Sequence, residues 1–313
     1  MWVVLAFISA LCLGFYDISK KIALRDNAVV DVLTLSVIIS SLLLSVPLLL
    51  SYACPAMMQQ TLFYVPTMSL KGHLLTVLKS AIVLSSWIFA YISLKHLPIS
   101  VVSPMQATRP MWTLIGALLI FNERLNGLQW IGVLLAIGSI LLFSFRMTKH
   151  SSIDRKSSIV QSSINSRYYA ALALAIILGA CSGLYDKYLM RHFDHNAVQV
   201  YYTFYQALMM IITWAIVNRH QLSINRQSSL VQLSIKNVGA IVLISLFLVM
   251  SDNVYMLALS YPDSMIAIVS TIRRGGAVIG FAYGLLFLKE QDPLPKMLCM
   301  AGICAGLICL AFA

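Results

Sequence analysis

Residues 264–288, SMIAIVSTIRRGGAVIGFAYGLLFL, carry Arg273 and Arg274 near the middle of an almost wholly apolar run. A cation in hydrocarbon costs about 3 kcal/mol or more, so such a residue needs a counter-ion, a wet cavity or a task. Arg109 in QATRPMW and Lys79 in LLTVLKSAIVLSSW lie in apolar stretches in the same way, as do the carboxylates Asp17, Asp186 and Asp252. Four cations against three carboxylates leave at least one positive charge after pairing. The arginine fork suits carboxylate or phosphate, with two parallel N–H···O bonds. Arg109, Arg273, Arg274 and Lys79 are therefore candidate binding residues for an anionic or zwitterionic solute. Asp17, Asp186 and Asp252 are candidates for proton coupling or ion pairing. Plainer roles stand beside these: an aspartate and an arginine neutralise each other to hold two helices, Asp17 pairs with Lys20 or Lys21 along its own helix, or one arginine reaches a backbone carbonyl. Adjacent arginines point about 100° apart on a helix, so Arg273 and Arg274 cannot share one direction.

The chain that positions these groups has 313 residues, of which 60% are hydrophobic and 11% charged, with a mean hydropathy of +0.86. Soluble domains carry about 25% charged residues. The composition is that of a membrane protein, and runs of the roughly 20 residues needed to span a bilayer recur at 1–24, 29–52, 73–94, 99–121, 127–146, 168–190, 198–217, 238–260, 264–288 and 296–313. The N-terminal run lacks a basic leader and a small-residue cleavage site, so it reads as a first helix rather than a removable signal. Net charge is +11, but the basic residues are scattered through short loops without the stripe that nucleic-acid binding requires. The six cysteines show no metal spacing, and neither a metal nor a cofactor is expected.

Two halves flank RMTKHSSIDRKSSIVQSSINSR, a serine-rich and basic stretch that reads as a linker over 147–167. ISALCLGFYDISKKIALRDNAV (8–29) aligns without a gap on ILGACSGLYDKYLMRHFDHNAV (177–198), matching Cys12 with Cys181, Gly14 with Gly183, Tyr16 with Tyr185 and Asp17 with Asp186. YISLKHLPISVVSPMQATRP (91–110) aligns on YMLALSYPDSMIAIVSTIRR (255–274), matching Pro98 with Pro262 and Arg109 with Arg273. Ten helices in two copies give five per copy, and an odd number inserts the second copy upside down. Residues 1–146 and 168–313 are thus predicted as inverted repeats, a transporter device with the site between them near the midplane. Helix direction and depth further predict that Asp17 can meet Arg109 and Asp186 can meet Arg273.

The half-length units, the GxYD segment of each first helix and FNERLNGLQWIGVLLAIGSILLFSF (121–145) resemble the EamA-type family of the drug/metabolite transporter superfamily. In that family a short acidic turn leads into a glycine-containing last helix; the second copy, FLKEQDPLPKMLCMAGICAGLICLAF, keeps Glu290 but departs from the pattern. The resemblance implies an all-α membrane protein of ten transmembrane helices, in which Trp87, Asn253 and Tyr255 help line a central cavity and Tyr16 and Tyr185 offer hydroxyls beside the aspartates.

The function expected is secondary transport of a small polar metabolite by alternating access across the plasma (inner) membrane, with no enzymatic activity. Its partners are a small molecule and the lipid bilayer, not nucleic acid, and nothing indicates an oligomer. An intramembrane enzyme acting on lipid phosphates, or a lipid flippase, would use the same buried arginines. Small-residue spacings at Gly276, Gly280 and Gly284, Gly179 and Gly183, and Gly302 and Gly306 are expected to serve helix packing. Pro104 and Pro110 are expected to bend the helix around Arg109. The resemblance implies cytoplasmic termini, whereas the bias of Arg146, Lys149, Arg155, Lys156, Arg167, Arg219 and Arg226 to one side favours both termini outside.

Overall fold

A computed structural model describes residues 1–24, 27, 29–97, 102, 105–106, 108–153, 165–224, 238–286 and 293–312. Pro104, Glu290 and linker residues 154–164 lie outside the described residues. Within them the regular structure is helical: α1 (Trp2–Ala23), α2 (Val29–Ala53), a single turn α3 (Pro55–Met58), α4 (Leu70–His96), α5 (Arg109–Ile120), α6 (Gly127–Ile153), α7 (Asn165–Met190), α8 (His195–Ile224), α9 (Val238–Ser260), α10 (Ile266–Arg274), α11 (Ala277–Leu286) and α12 (Pro293–Ala311). Among the described residues, six helices are long and apolar enough to cross a membrane: α1, α2, α4, α7, α8 and α9. Shorter apolar stretches lie at Arg109–Ile120, Gly127–Leu142 and Met297–Ala311.

Helix starts follow local chemistry. The Ser69 hydroxyl accepts the Gly72 N–H at the head of α4, and Asp194 accepts from the N–H groups of Asn196 and Ala197 at the head of α8. Before α6 the side chains of Asn126 and Gln129 each accept the other's backbone N–H, at 2.8 and 2.9 Å. This reciprocal box satisfies donors that a helix start leaves free.

Two expectations are corrected. The run 264–288, predicted as one helix, is α10 and α11 separated at Gly275–Gly276. There the Gly275 and Gly276 N–H groups donate to the carbonyls of Ile272 and Arg273, three residues back. Tight packing accompanies the break: a Cβ on Gly276 would lie 2.5 Å from the Ala10 carbonyl oxygen, and one on Gly275 would lie 2.6 Å from a Leu307 methyl. The polar stretch after 146 is also not wholly a linker, because α6 continues to Ile153 and α7 begins at Asn165.

The main packing pairs are α1 with α9, α4 with α7, and α6 with α12. Serines tie the first two. Ser9 and Ser251 donate to each other's carbonyls at 2.8 and 3.0 Å, and Ser86 donates to Ala175 O at 2.9 Å. The α6–α12 contact rests on Gly132, Ala136 and Ser139 against Gly302 and Gly306. Large apolar side chains such as Leu42, Leu49, Leu119, Leu142 and Ile216 point outward, making a surface suited to lipid rather than water.

Candidate functional site

Two of the four deep cations are neutralised. Lys79 on α4 pairs with Asp186 on α7 at 2.8 Å, both almost fully buried, and its ammonium lies 4.1 Å from the Tyr202 ring centroid. Arg273 on α10 pairs with Asp252 on α9 at 2.7 Å, donates to the Ser251 hydroxyl at 3.2 Å and lies 4.0 Å over the Tyr255 ring. Tyr255 connects the pairs by donating to Asp186 Oδ2 at 3.4 Å. Desolvated pairs of this kind hold only while both members and their hydrogen bonds are present. The partners differ from the expected ones: Asp186 takes Lys79 instead of Arg273, and Asp17 forms no ion pair with Arg109. The rotation of each helix about its axis decides this, and apolar surroundings on every side leave that rotation unmarked in the sequence.

Arg109 and Arg274 have no carboxylate within ion-pair distance among the described residues. Arg109 is wedged between α4 and α7, where it donates to Ser86 Oγ and Ala175 O at 3.4 Å each, and its Nε has no hydrogen-bond partner among the described residues. Gly179 makes room for it, since a Cβ there would occupy the guanidinium position. Arg274 is within electrostatic reach of Asp17 and Arg273, and its charge acts on Arg109. Arg274 and Asp17 are both exposed.

A hollow of about 60 Å³ lies among α2, α4, α8 and α9 and is lined by Ser40, Trp87, Gln199, Tyr202, Gln206 and Asp252, among others. Its volume is several times what one ordered water needs. The sequence reading named Trp87 and Asp252 here but not the α8 face; Gln199, Thr203 and Gln206, at four- and three-residue spacing along one apolar segment, were the available signal.

Other candidates take structural positions. Asn253 donates to Asn196 at 2.9 Å and to Gln199 at 2.8 Å, and Asn196 in turn donates to the carbonyls of Leu62 and Tyr64. Tyr185 donates to Leu75 O at 3.2 Å and lines a separate, largely apolar groove with Ile120, Phe121, Cys181, Leu184 and Tyr188. Tyr16 packs beside Ala23, Val32, Ile241 and Ile244, with Lys20 over its ring.

At one end of the bundle the connectors interlock. Glu123, from the acidic turn between α5 and α6, accepts the N–H groups of Ile266 and Ala267 at 2.6 and 3.1 Å, capping α10. Burial pushes its carboxyl above the ordinary range, against the opposing pull of those two N–H groups, Lys187 and Arg191. Lys187, fully buried, donates to Ser264 O at 2.6 Å, to the Ser264 hydroxyl and to Leu259 O at 3.4 Å. Neither residue's role was foreseen from the sequence.

Twenty-seven chains of known structure match this fold. One, a crystal structure of another protein, superposes with a TM-score of 0.71 over 99% of this chain and 96% of that chain at 10% identity, a likeness that speaks for the fold alone. No curated protein matches the sequence. Residues 1–145 match the model of the EamA-like transporter family.

Proposed function

Because residues 1–145 form an EamA-like transporter unit within the drug/metabolite transporter superfamily, we infer that the chain is a secondary transporter moving a small anionic or zwitterionic metabolite across a plasma (inner) membrane by alternating access. Residues 1–146 and 168–313 act as two five-helix repeats of opposite insertion. The packing pattern supports this. Exchanging the halves turns α1 on α9 into α7 on α4, α2 on α9 into α8 on α4, and α1 on α10 and α11 into α7 on α5, while α6 with α12, α2 with α8 and α5 with α10 join counterparts. Each of these pairs is present.

One observation carries the substrate class: after Lys79 and Arg273 are neutralised, Arg109 and Arg274 have no carboxylate within ion-pair distance among the described residues, and their like charges act on each other. An anionic group between them would relieve both charges and gain the arginine forks. The interlocked end supplies a gate. Opening it requires Glu123 to leave the α10 N-terminus and Lys187 to leave the 259–264 turn. The Glu123 cap sits on the helix whose last residues are Arg273 and Arg274, so movement there reaches the charged centre directly. Asp17 and Asp186 are the carboxylates that exchange protons if a pH gradient drives the cycle.

The test is release from proteoliposomes loaded with a cell metabolite extract, read by mass spectrometry. Export of anionic or zwitterionic solutes above that of protein-free vesicles, lost in Arg109→Ala and Arg274→Ala, is expected. No release above protein-free vesicles sinks the transport reading.

A further inference from the structure

The groove between α5 and α7 changes character along its length. Its volume is about 340 Å³, and its walls, Ile120, Phe121, Cys181, Leu184, Tyr185 and Tyr188, are largely apolar. That size is within the range of small-molecule sites. The two helices touch beside it, since a Cβ on Gly116 would overlap a methyl of Leu184. The α7 wall belongs to the apolar stretch Arg167–Met190, which is long enough to cross a membrane. Ile120 and Tyr188 are 67% and 36% exposed, so the groove opens onto lipid tails. From Cys181 to Tyr188 it follows α7 for about 10 Å, at 1.5 Å per residue.

One end is basic. Arg191, the residue after α7, is exposed, and its guanidinium lies 4.9 Å over the ring of Phe121, a groove wall. His192 is exposed as well; its ring lies 4.5 Å from that of Tyr188, another wall, and its Nδ1–H donates to Tyr188 O at 2.8 Å. Among the described residues no carboxylate lies within ion-pair distance of Arg191. The acids of the neighbouring connectors are committed elsewhere: Glu123 accepts from Ile266 and Ala267, and Asp194 from Asn196 and Ala197. A guanidinium stacked on an aromatic face keeps its N–H edge for other partners, and that edge matches a phosphate. An apolar trough within the membrane, with an unpaired arginine at its interfacial end, is complementary to a lipid of negative headgroup. A free phosphate would use the basic end alone, and an apolar face of a second copy would leave the guanidinium unmatched.

We propose that the α5–α7 groove seats one anionic phospholipid of the surrounding membrane, with its phosphate on Arg191 beside His192 and the upper part of one acyl chain between the two helices. The same helices shape the Arg109 slot, because α5 begins at Arg109 and Gly179 of α7 makes room for the guanidinium. A lipid seated along them holds that pair together. The site is separate from the Arg109–Arg274 centre and does not rest on the transport reading.

The test is native mass spectrometry of the purified full chain in detergent, titrated with dioleoyl phosphatidylglycerol or dioleoyl phosphatidylcholine. The native protein is compared with Arg191→Gln, Arg191→Lys, Cys181→Trp and Ile120→Trp. All three positions are exposed, so lipid-free thermal unfolding should match the native protein and show that each variant is folded; the two tryptophans fill the groove from opposite walls, so either serves if the other fails to fold. Preferred binding of one phosphatidylglycerol is expected, weakened about tenfold in Arg191→Gln through loss of charge-assisted hydrogen bonds, less in Arg191→Lys, and lost in the tryptophan variants. Equal binding of both lipids to the native chain, binding unchanged in Arg191→Gln, or binding indifferent to the tryptophans overturns the site. Displacement of the lipid by an equal concentration of glycerol phosphate would make it a free-phosphate site, and a lipid-free dimer dissolved by Cys181→Trp would assign the groove to a second copy; either result also overturns it. Lipid binding with the expected variant effects, in a chain that releases no metabolite, leaves the site standing and sinks only the transport reading.

Discussion

Lys79 and Asp186 sit almost without solvent and hold each other's charge, so removing one leaves an uncompensated ion. Lys79→Met or Asp186→Asn should lower stability by about 3–5 kcal/mol, and the double variant Lys79→Met/Asp186→Leu should recover most of that; thermal unfolding in detergent measures it. Gly179→Ala should displace the Arg109 guanidinium from between α4 and α7 and abolish anion release, while the chain still reaches the membrane at normal abundance. Uptake with and without a pH gradient tests the carboxylates: if they carry protons, Asp17→Asn and Asp186→Asn remove the stimulation by the gradient. Equal rates with and without the gradient in the native protein would remove the coupling. The positions of the deep charges were legible in the sequence, because each interrupts an apolar run. Their partners were not. Spacing along a helix gives depth, and Asp17 and Arg109 agree in depth, but azimuth around uniformly apolar helices is set only when the bundle packs. Gln206 went unnoticed for a related reason, since a neutral amide in an apolar segment raises no charge alarm.

Most helix bounds fall within about three residues of the apolar runs, whereas α6 and α8 continue past their expected ends at 146 and 217 to Ile153 and Ile224, and the break at Gly275–Gly276 did not show. Paired glycines inside a hydrophobic run look like packing residues, and here they both pack and break the helix. Gly276→Ala should destabilise the chain by about 1–3 kcal/mol, because its Cβ meets the Ala10 carbonyl, which belongs to backbone that cannot yield. Gly138→Ala, with nothing within 4 Å, should instead be neutral or stabilising by up to about 1 kcal/mol. The Glu123 cap has a pH sign. Its carboxyl is raised in the closed end relative to an open, hydrated one, so the closed end binds the proton more readily. Closure therefore gains as pH falls from neutral towards the ordinary carboxylate range, and that gain is lost as pH rises through the raised value. Glu123→Gln should keep the cap and lose the pH dependence, and Glu123→Ala should lose the cap. Distances between spin labels on the 121–126 and 261–265 connectors report both.

Two halves are proposed from aligned segments of the sequence, and the packing pairs that exchange between them are consistent with that proposal. Orientation follows from neither. Connector charge favours the linker side as cytoplasmic, which predicts that Ser157→Cys reacts with an impermeant thiol reagent only after the cytoplasmic face is exposed; reaction in intact cells would reverse the assignment. Alternating access around the central polar site is the claim on which the rest depends. It is tested by Ser40→Cys at the hollow, with the six native cysteines replaced, in proteoliposomes treated with a small impermeant thiol reagent from one face or the other. The account predicts reaction from both faces, with Glu123→Ala raising the rate from the connector end and lowering it from the other. Reaction from one face alone, at rates that Glu123→Ala leaves unchanged, would contradict it.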